Sequence, residues 1–106
     1  MREPLLIGHR GASAIAPENT IAAFQAAIVA GADGIESDVR LSSDGVPVII
    51  HDDTLSRTHG LRRRVAEMTA GELKSVAVPS LRDLFELMAG LCAQRTSLLK
   101  LWVGGH

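Results

Sequence analysis

The chain is predicted to be an α/β protein, built from short buried strands alternating with helices. Short apolar runs at residues 5–8 and 46–50 flank a longer strand-like stretch at 32–41. Between and beyond them, residues 21–30 and 81–91 carry apolar side chains at helical spacing. Turn and cap residues fall at the junctions, with Gly31, Asp44-Gly45 and Ser80 the clearest.

Pro4 precedes Leu5-Leu6-Ile7-Gly8, a run too short and too uniformly apolar for a surface helix, so it reads as a buried strand. It ends at His9, where Gly8, Gly11 and Ala12 allow a tight backbone turn. Asn19 is the expected N-cap of the next helix, an alanine-rich segment from 21 to 30 that Gly31 stops. A second strand follows at 32–41.

Ser42-Ser43-Asp44-Gly45 is a turn signal leading into the strand at 46–50. A hairpin pairing Leu41 with Val46 would set His51 opposite Glu36. Thr69 and Glu72 form a capping-box pattern that opens a helix to about Val76. Ser80 and Asp83 repeat that pattern before a helix with apolar residues at 81, 84, 85, 88 and 91. Residues 98–103 are expected to form a last strand, interrupted by Lys100.

At 106 residues the chain is at most one small domain. Nearly half of it is apolar while Phe24, Phe85 and Trp102 are its only aromatics, so the core must be aliphatic. A net charge of −1 argues against a nucleic-acid or anionic-membrane surface, and Arg62-Arg63-Arg64 reads as a solvated loop. No apolar run approaches the ~20 residues of a transmembrane helix. The N-terminal apolar stretch is too short for a secretory h-region, and the single Cys92 forms no internal disulfide. A cytoplasmic location is the resulting expectation.

The chemistry lies in the first sixty residues. Glu36 and Asp38, two apart on a strand, leave the same face. Side by side on a half-buried strand they repel unless a cation lies between them, and all-oxygen ligation favours Mg²⁺ or Ca²⁺. The competing arrangement has both facing solvent on an edge strand. His9 and His51 each end an apolar run and each precedes a polar partner, Arg10 and Asp52. An imidazole titrates near neutrality, so one histidine can take a proton while the other gives one. Arg10 can hold two phosphate oxygens in a fork. His59 and His106 are read as bystanders.

His9-Arg10-Gly11, Pro17-Glu18-Asn19-Thr20, Gly34-Ile35-Glu36-Ser37-Asp38-Val39, Asp44-Gly45 and His51-Asp52 follow one another in fixed order. From about Leu5 to Thr58, and more loosely to residue 91, this pattern resembles the glycerophosphodiester phosphodiesterases. The resemblance implies the N-terminal portion of a (β/α)₈ barrel, with the site at the C-terminal ends of its strands. It implies cleavage of glycerophosphodiesters to sn-glycerol 3-phosphate and an alcohol with a divalent cation. His9 and His51 match the family's acid/base histidines, Arg10 its phosphate contact, and Glu36 and Asp38 two of its metal ligands. In related phosphodiesterases the glycerol 2-hydroxyl attacks first, through a cyclic phosphate; attack by water is the other route.

Such a barrel takes about 250 residues. The expectation is therefore a truncated barrel, whose open edges would pair with a second copy or a complementary barrel portion. The family places a third metal-binding glutamate two residues before a lysine; here the lysine falls at Lys100 and Leu98 takes the glutamate's place. The tail 92–106 departs from the family pattern, as a shifted reading frame or premature stop would produce. A catalytically inactive relative acting as an interaction module is the alternative reading, and an anion-binding module centred on Arg10 a third.

Overall fold

A computed structural model describes residues 7–9, 17–32, 34–92 and 100–105, with backbone alone for 7–9, 91–92 and 100–105. Arg10, Gly11, Ala12, Leu98 and His106 lie outside the described residues.

The sheet is built around β2 (Gly34–Leu41). Strand β1 (Ile7–His9) runs parallel to its first half, with Ile7 against Gly34 and His9 against Glu36. Strand β3 (Pro47–Ile49) returns antiparallel along its last residues, and β4 (Lys100–Gly105) runs parallel from Gly34 to Val39. Glu36 pairs with both β1 and β4, and Val39 with both β3 and β4. A strand has two edges, so β1 and β3 follow one another along one edge and β4 occupies the other. A last strand thus exists over Lys100–Gly105, with Lys100 inside it, while Leu98 and Leu99 lie outside the described residues.

Helix α1 (Ile21–Val29) starts from Thr20, not Asn19: the Thr20 hydroxyl accepts from the Ala23 N–H at 3.2 Å and donates to the Pro17 carbonyl at 2.7 Å. Asn19 is excluded from the cap because its backbone is left-handed, φ 55°, and its side chain is used elsewhere. The helix ends as expected at Gly31, φ 95°. There the N–H groups of Gly31 and Ala32 close onto the carbonyls of Ile28 and Ala27, a Schellman ending. Phe24, Ala27 and Ile28 pack with Ile35, Ile49, Leu84 and Met88 into one core between α1, α4 (Leu81–Cys92) and the sheet.

The hairpin register is one residue away from the expectation. Leu41 pairs with Pro47, not Val46, and Val39 with Ile49. Gly45 is left-handed, φ 75°, its N–H closes a turn on the Ser42 carbonyl, and Ser42 N–H bonds the Val46 carbonyl. That is a type I turn with a glycine bulge, which adds one residue to the loop.

Strand β3 alternates between two cores, Ile49 facing the helical one. Val48 and Ile50 join Leu55, Val65, Met68, Leu73 and Val78 in a second. This second core organises residues 51–80, where the sequence predicted one helix and the fold forms two and a 3₁₀ turn. Helix α2 (Ser56–His59) ends on left-handed Gly60, and the 3₁₀ turn spans Val65–Glu67. Helix α3 (Ala70–Ser75) carries the full capping box, Thr69 to the Glu72 N–H and Glu72 back to the Thr69 N–H, both 3.1 Å. Ser80 and Asp83 reproduce it at α4, at 3.1 and 3.0 Å. Along α4, Leu84 and Met88 are buried as the stripe requires, but Phe85 is 53% exposed. Among the described residues the aliphatic core expected from composition holds one aromatic, fully buried Phe24. Among the described residues no helix is long and apolar enough to cross a membrane.

Candidate active site

On β2, Ile35 and Val39 face the helical core. Strand alternation therefore turns Glu36, Asp38 and Arg40 to the opposite face, where β1 ends. His9 is the last residue of β1 and lies in register beside Glu36, so these two residues meet at the strand end. The His9 side chain and all of Arg10 lie outside what the structure describes.

The solvent-facing alternative for the carboxylates is ruled out: Asp38 is 4% exposed and Glu36 half-buried. Asp38 receives the Asn19 side-chain amide, Nδ2 to Oδ2 at 3.3 Å, within the protein interior. The left-handed turn at Asn19 places this amide on the carboxylate.

His51 reaches the same neighbourhood by way of the hairpin. The Ile50 N–H bonds the Asp38 carbonyl at 3.1 Å, which sets the next residue alongside the middle of β2. Continuing the observed register would set His51 opposite Ser37 instead of Glu36, so the two signatures meet as expected but one residue out of step. Arg40 Nε donates to the His51 carbonyl at 2.8 Å. The ring Nδ1 lies 2.8 Å from Asp52 Oδ1. Arg57, first, and His51 then hold the Asp52 carboxyl well below the usual carboxylate range, so Asp52 is an acceptor and Nδ1 the donor.

Arg57 closes the arrangement. Its Nε and one terminal nitrogen grip Asp52 at 2.8 and 3.0 Å, and its two terminal nitrogens grip Glu18 at 2.7 and 3.1 Å. These two carboxylates raise the guanidinium's already high affinity for its proton. His59, next on the chain but one, is pushed down by burial, and its ring sits on the Thr58 hydroxyl.

Sequence reasoning missed Glu18, Asn19, Arg40 and Arg57 as site residues. Glu18 and Asn19 stand inside a recognised signature, and Arg57 within the same matching stretch, which is the signal that could have found them.

Among the described residues no group of three His, Cys, Asp or Glu side chains converges on one point. The donors present are oxygens: two carboxylates two residues apart, and beside them the Asn19 Oδ1, buried without a hydrogen-bond partner. This set fits a hard cation that takes one or two carboxylates and completes its shell with water or phosphate. Strand β4 brings Trp102 beside Glu36 and Gly104 beside Asp38, and none of its six residues is a carboxylate.

The family model for the glycerophosphoryl diester phosphodiesterase family matches residues 9–96. A glycerophosphodiester phosphodiesterase of Caldanaerobacter subterraneus subsp. tengcongensis is 43% identical over 97 residues, covering 79% of this chain and 40% of the relative. Among solved structures, the glycerophosphodiester phosphodiesterase of Thermotoga maritima is 36% identical with a TM-score of 0.81, over 97% of this chain and 45% of that one. A phosphodiesterase of Oleispira antarctica, solved with its product sn-glycerol 3-phosphate, is 34% identical with a TM-score of 0.77, again over 97% and 45%. The chain thus spans less than half the length of the relatives it matches, and over that span it shares both their sequence pattern and their fold. It belongs to the glycerophosphoryl diester phosphodiesterase family.

Proposed function

We propose that this chain carries the opening part of a (β/α)₈ barrel and, on it, the acid–base and cation-binding half of a phosphodiesterase site that hydrolyses glycerophosphodiesters. The observation that carries the reading is the backbone placement of these residues: His9 lies in register beside Glu36, and the Ile50 N–H on the Asp38 carbonyl brings the following His51 alongside β2. The Oleispira relative, bound to sn-glycerol 3-phosphate, supports the substrate class.

In this reading Glu36 and Asp38 hold the cation, Mg²⁺ or Ca²⁺, and Asn19 keeps the Asp38 carboxylate turned toward it. When bound there, such a cation would offset phosphate charge and lower the pKa of the attacking oxygen, whether of water or of the glycerol 2-hydroxyl. Arg10 forks two phosphate oxygens. His51 and His9 divide the proton work, one accepting from the attacking oxygen and the other donating to the departing alkoxide. Where water attacks, these two transfers give sn-glycerol 3-phosphate and the free alcohol directly; where the glycerol 2-hydroxyl attacks, the alcohol leaves first and water then opens the cyclic phosphate with the two histidine roles exchanged.

One observation favours a second reading, an inactive member acting through its open sheet edges: β4 offers Trp102 and Gly104, not a carboxylate, beside the acidic pair. The deciding measurement is release of sn-glycerol 3-phosphate from glycerophosphocholine by the purified chain with Mg²⁺, Ca²⁺ or EDTA. EDTA-sensitive turnover that is lost in His51→Ala supports hydrolysis. No turnover with either ion, from a chain that elutes as a folded species on size exclusion, supports the second reading.

A further inference from the structure

Adjacent residues on extended backbone point their side chains to opposite sides. His51 and Asp52 nevertheless meet at 2.8 Å, just after β3 ends. The bend at residues 51–53 allows this contact, but on its own it leaves the Asp52 side chain without an anchor. The anchor comes from elsewhere in the chain. Arg57, on α2, presents two edges of its planar guanidinium, one to Asp52 and the other to Glu18, with four hydrogen bonds between 2.7 and 3.1 Å. Glu18 belongs to the segment before α1, 39 residues away in sequence. Its side chain is 17% exposed and that of Asp52 23%, while the Arg57 side chain that joins them is 51% exposed, so the clamp lies at the surface with its two carboxylates turned inward.

We propose that Arg57 is a positioning residue whose guanidinium clamps Glu18 and Asp52 together and thereby holds the His51 ring as the Nδ1–H tautomer. The inference deepens the acid–base role assigned above to His51. Asp52 Oδ1 accepts from His51 Nδ1 and also from Arg57, so one oxygen links the ring to the clamp. With the proton on Nδ1, the lone pair sits on Nε2, the nitrogen on the far side of the ring from Asp52. Free neutral imidazole side chains favour the opposite tautomer, so the arrangement must be imposed. A lysine cannot substitute, since a single ammonium lacks the planar fork that serves two carboxylates at once. Arg40 fixes the backbone of the same residue through its carbonyl, so ring and main chain are held from two directions.

The test is the ring ¹⁵N spectrum of the full chain labelled at histidine, with His51 assigned by the loss of its signals in His51→Gln. At a pH where the ring is neutral, the native chain should show Nδ1 protonated and Nε2 bare. In Arg57→Gln and in Arg57→Lys the Nε2–H form should become the major species, while backbone amide signals of β2 and α4 stay in place. Native His51 found as Nε2–H, or a ring unchanged in folded Arg57→Gln, overturns the proposal. If Arg57→Gln does not fold, Glu18→Gln, which keeps the Arg57–Asp52 fork, carries the test: a partial shift supports the clamp and none overturns it. Turnover of glycerophosphocholine read on the same samples separates the two claims. A tautomer that moves in a chain without turnover sinks only the hydrolase reading, and lost turnover in His51→Ala with an unmoved tautomer in Arg57→Gln sinks only the clamp.

Discussion

Asn19 donates its side-chain amide to Asp38 Oδ2 at 3.3 Å while its own backbone sits in the left-handed region at φ 55°. The two facts are coupled. A left-handed residue between Glu18 and the helix cap Thr20 points a short polar side chain inward instead of along the helix axis, and asparagine tolerates that conformation. A residue that looks like a helix start is in fact a support for a buried carboxylate.

Asn19→Ala removes the amide and keeps the strained backbone, so it should lower stability by about 1–3 kcal/mol, read from the urea midpoint at constant slope. Asn19→Gly relieves the backbone but not the hydrogen bond and should fall between the native chain and the alanine variant. Equal midpoints for the two variants would mean that the left-handed backbone carries no cost.

Cation binding to the acidic pair should stabilise the fold by mass action, about 2.7 kcal/mol at one hundred times the dissociation constant. Titrating Mg²⁺ and Ca²⁺ while following the thermal midpoint tests this without any substrate. Glu36→Gln should weaken the response, and Asp38→Asn should nearly remove it because Asp38 is the more buried carboxylate. A midpoint that rises equally in both variants places the cation elsewhere.

Acid should unfold the chain through its capped carboxylates. The Ser80 N–H, and then Lys74, hold the Asp83 carboxyl below its ordinary value. Arg57 and His51 do the same for Asp52. A depressed folded value contributes stability that is complete above the unfolded value of about 4 and is lost as pH falls through the lower folded one. Denaturation curves should therefore show stability falling below about pH 4. Asp83→Asn should flatten that limb and lower stability at neutral pH, with the difference vanishing in strong acid. A parallel offset at every pH would assign the loss to packing.

Two glycines should respond with opposite signs. Gly45 has open space where a Cβ would go but is left-handed, so Gly45→Ala meets only backbone strain and should cost about 1–2 kcal/mol. Gly90, within α4, also has open space and no such constraint. Gly90→Ala should raise stability by about 0.5–1 kcal/mol. Chemical denaturation of both variants checks the pair, and a loss in Gly90→Ala would reveal a packing role for that position.

Elements decided within a few residues of chain were legible beforehand. The alanine-rich stretch ending at Gly31, the reciprocal caps of Thr69 with Glu72 and of Ser80 with Asp83, and the shared face of Glu36 and Asp38 all follow from short-range spacing. The signatures in the first sixty residues likewise carry the family pattern in their order and spacing alone. Contacts between distant segments decided the rest. The conformation of a single glycine moved the β2–β3 register by one residue, because strand pairing has a period of two and a bulge shifts it. Phe85 satisfies the helical stripe of α4 yet stays exposed, since burial depends on what lies opposite, which periodicity does not encode. Asn19 and Arg57 acquired their partners, Asp38 and Glu18, across 19 and 39 residues of chain. Side-chain type limits which bonds such residues can make, but only the packed backbone brings the other half of each bond within reach.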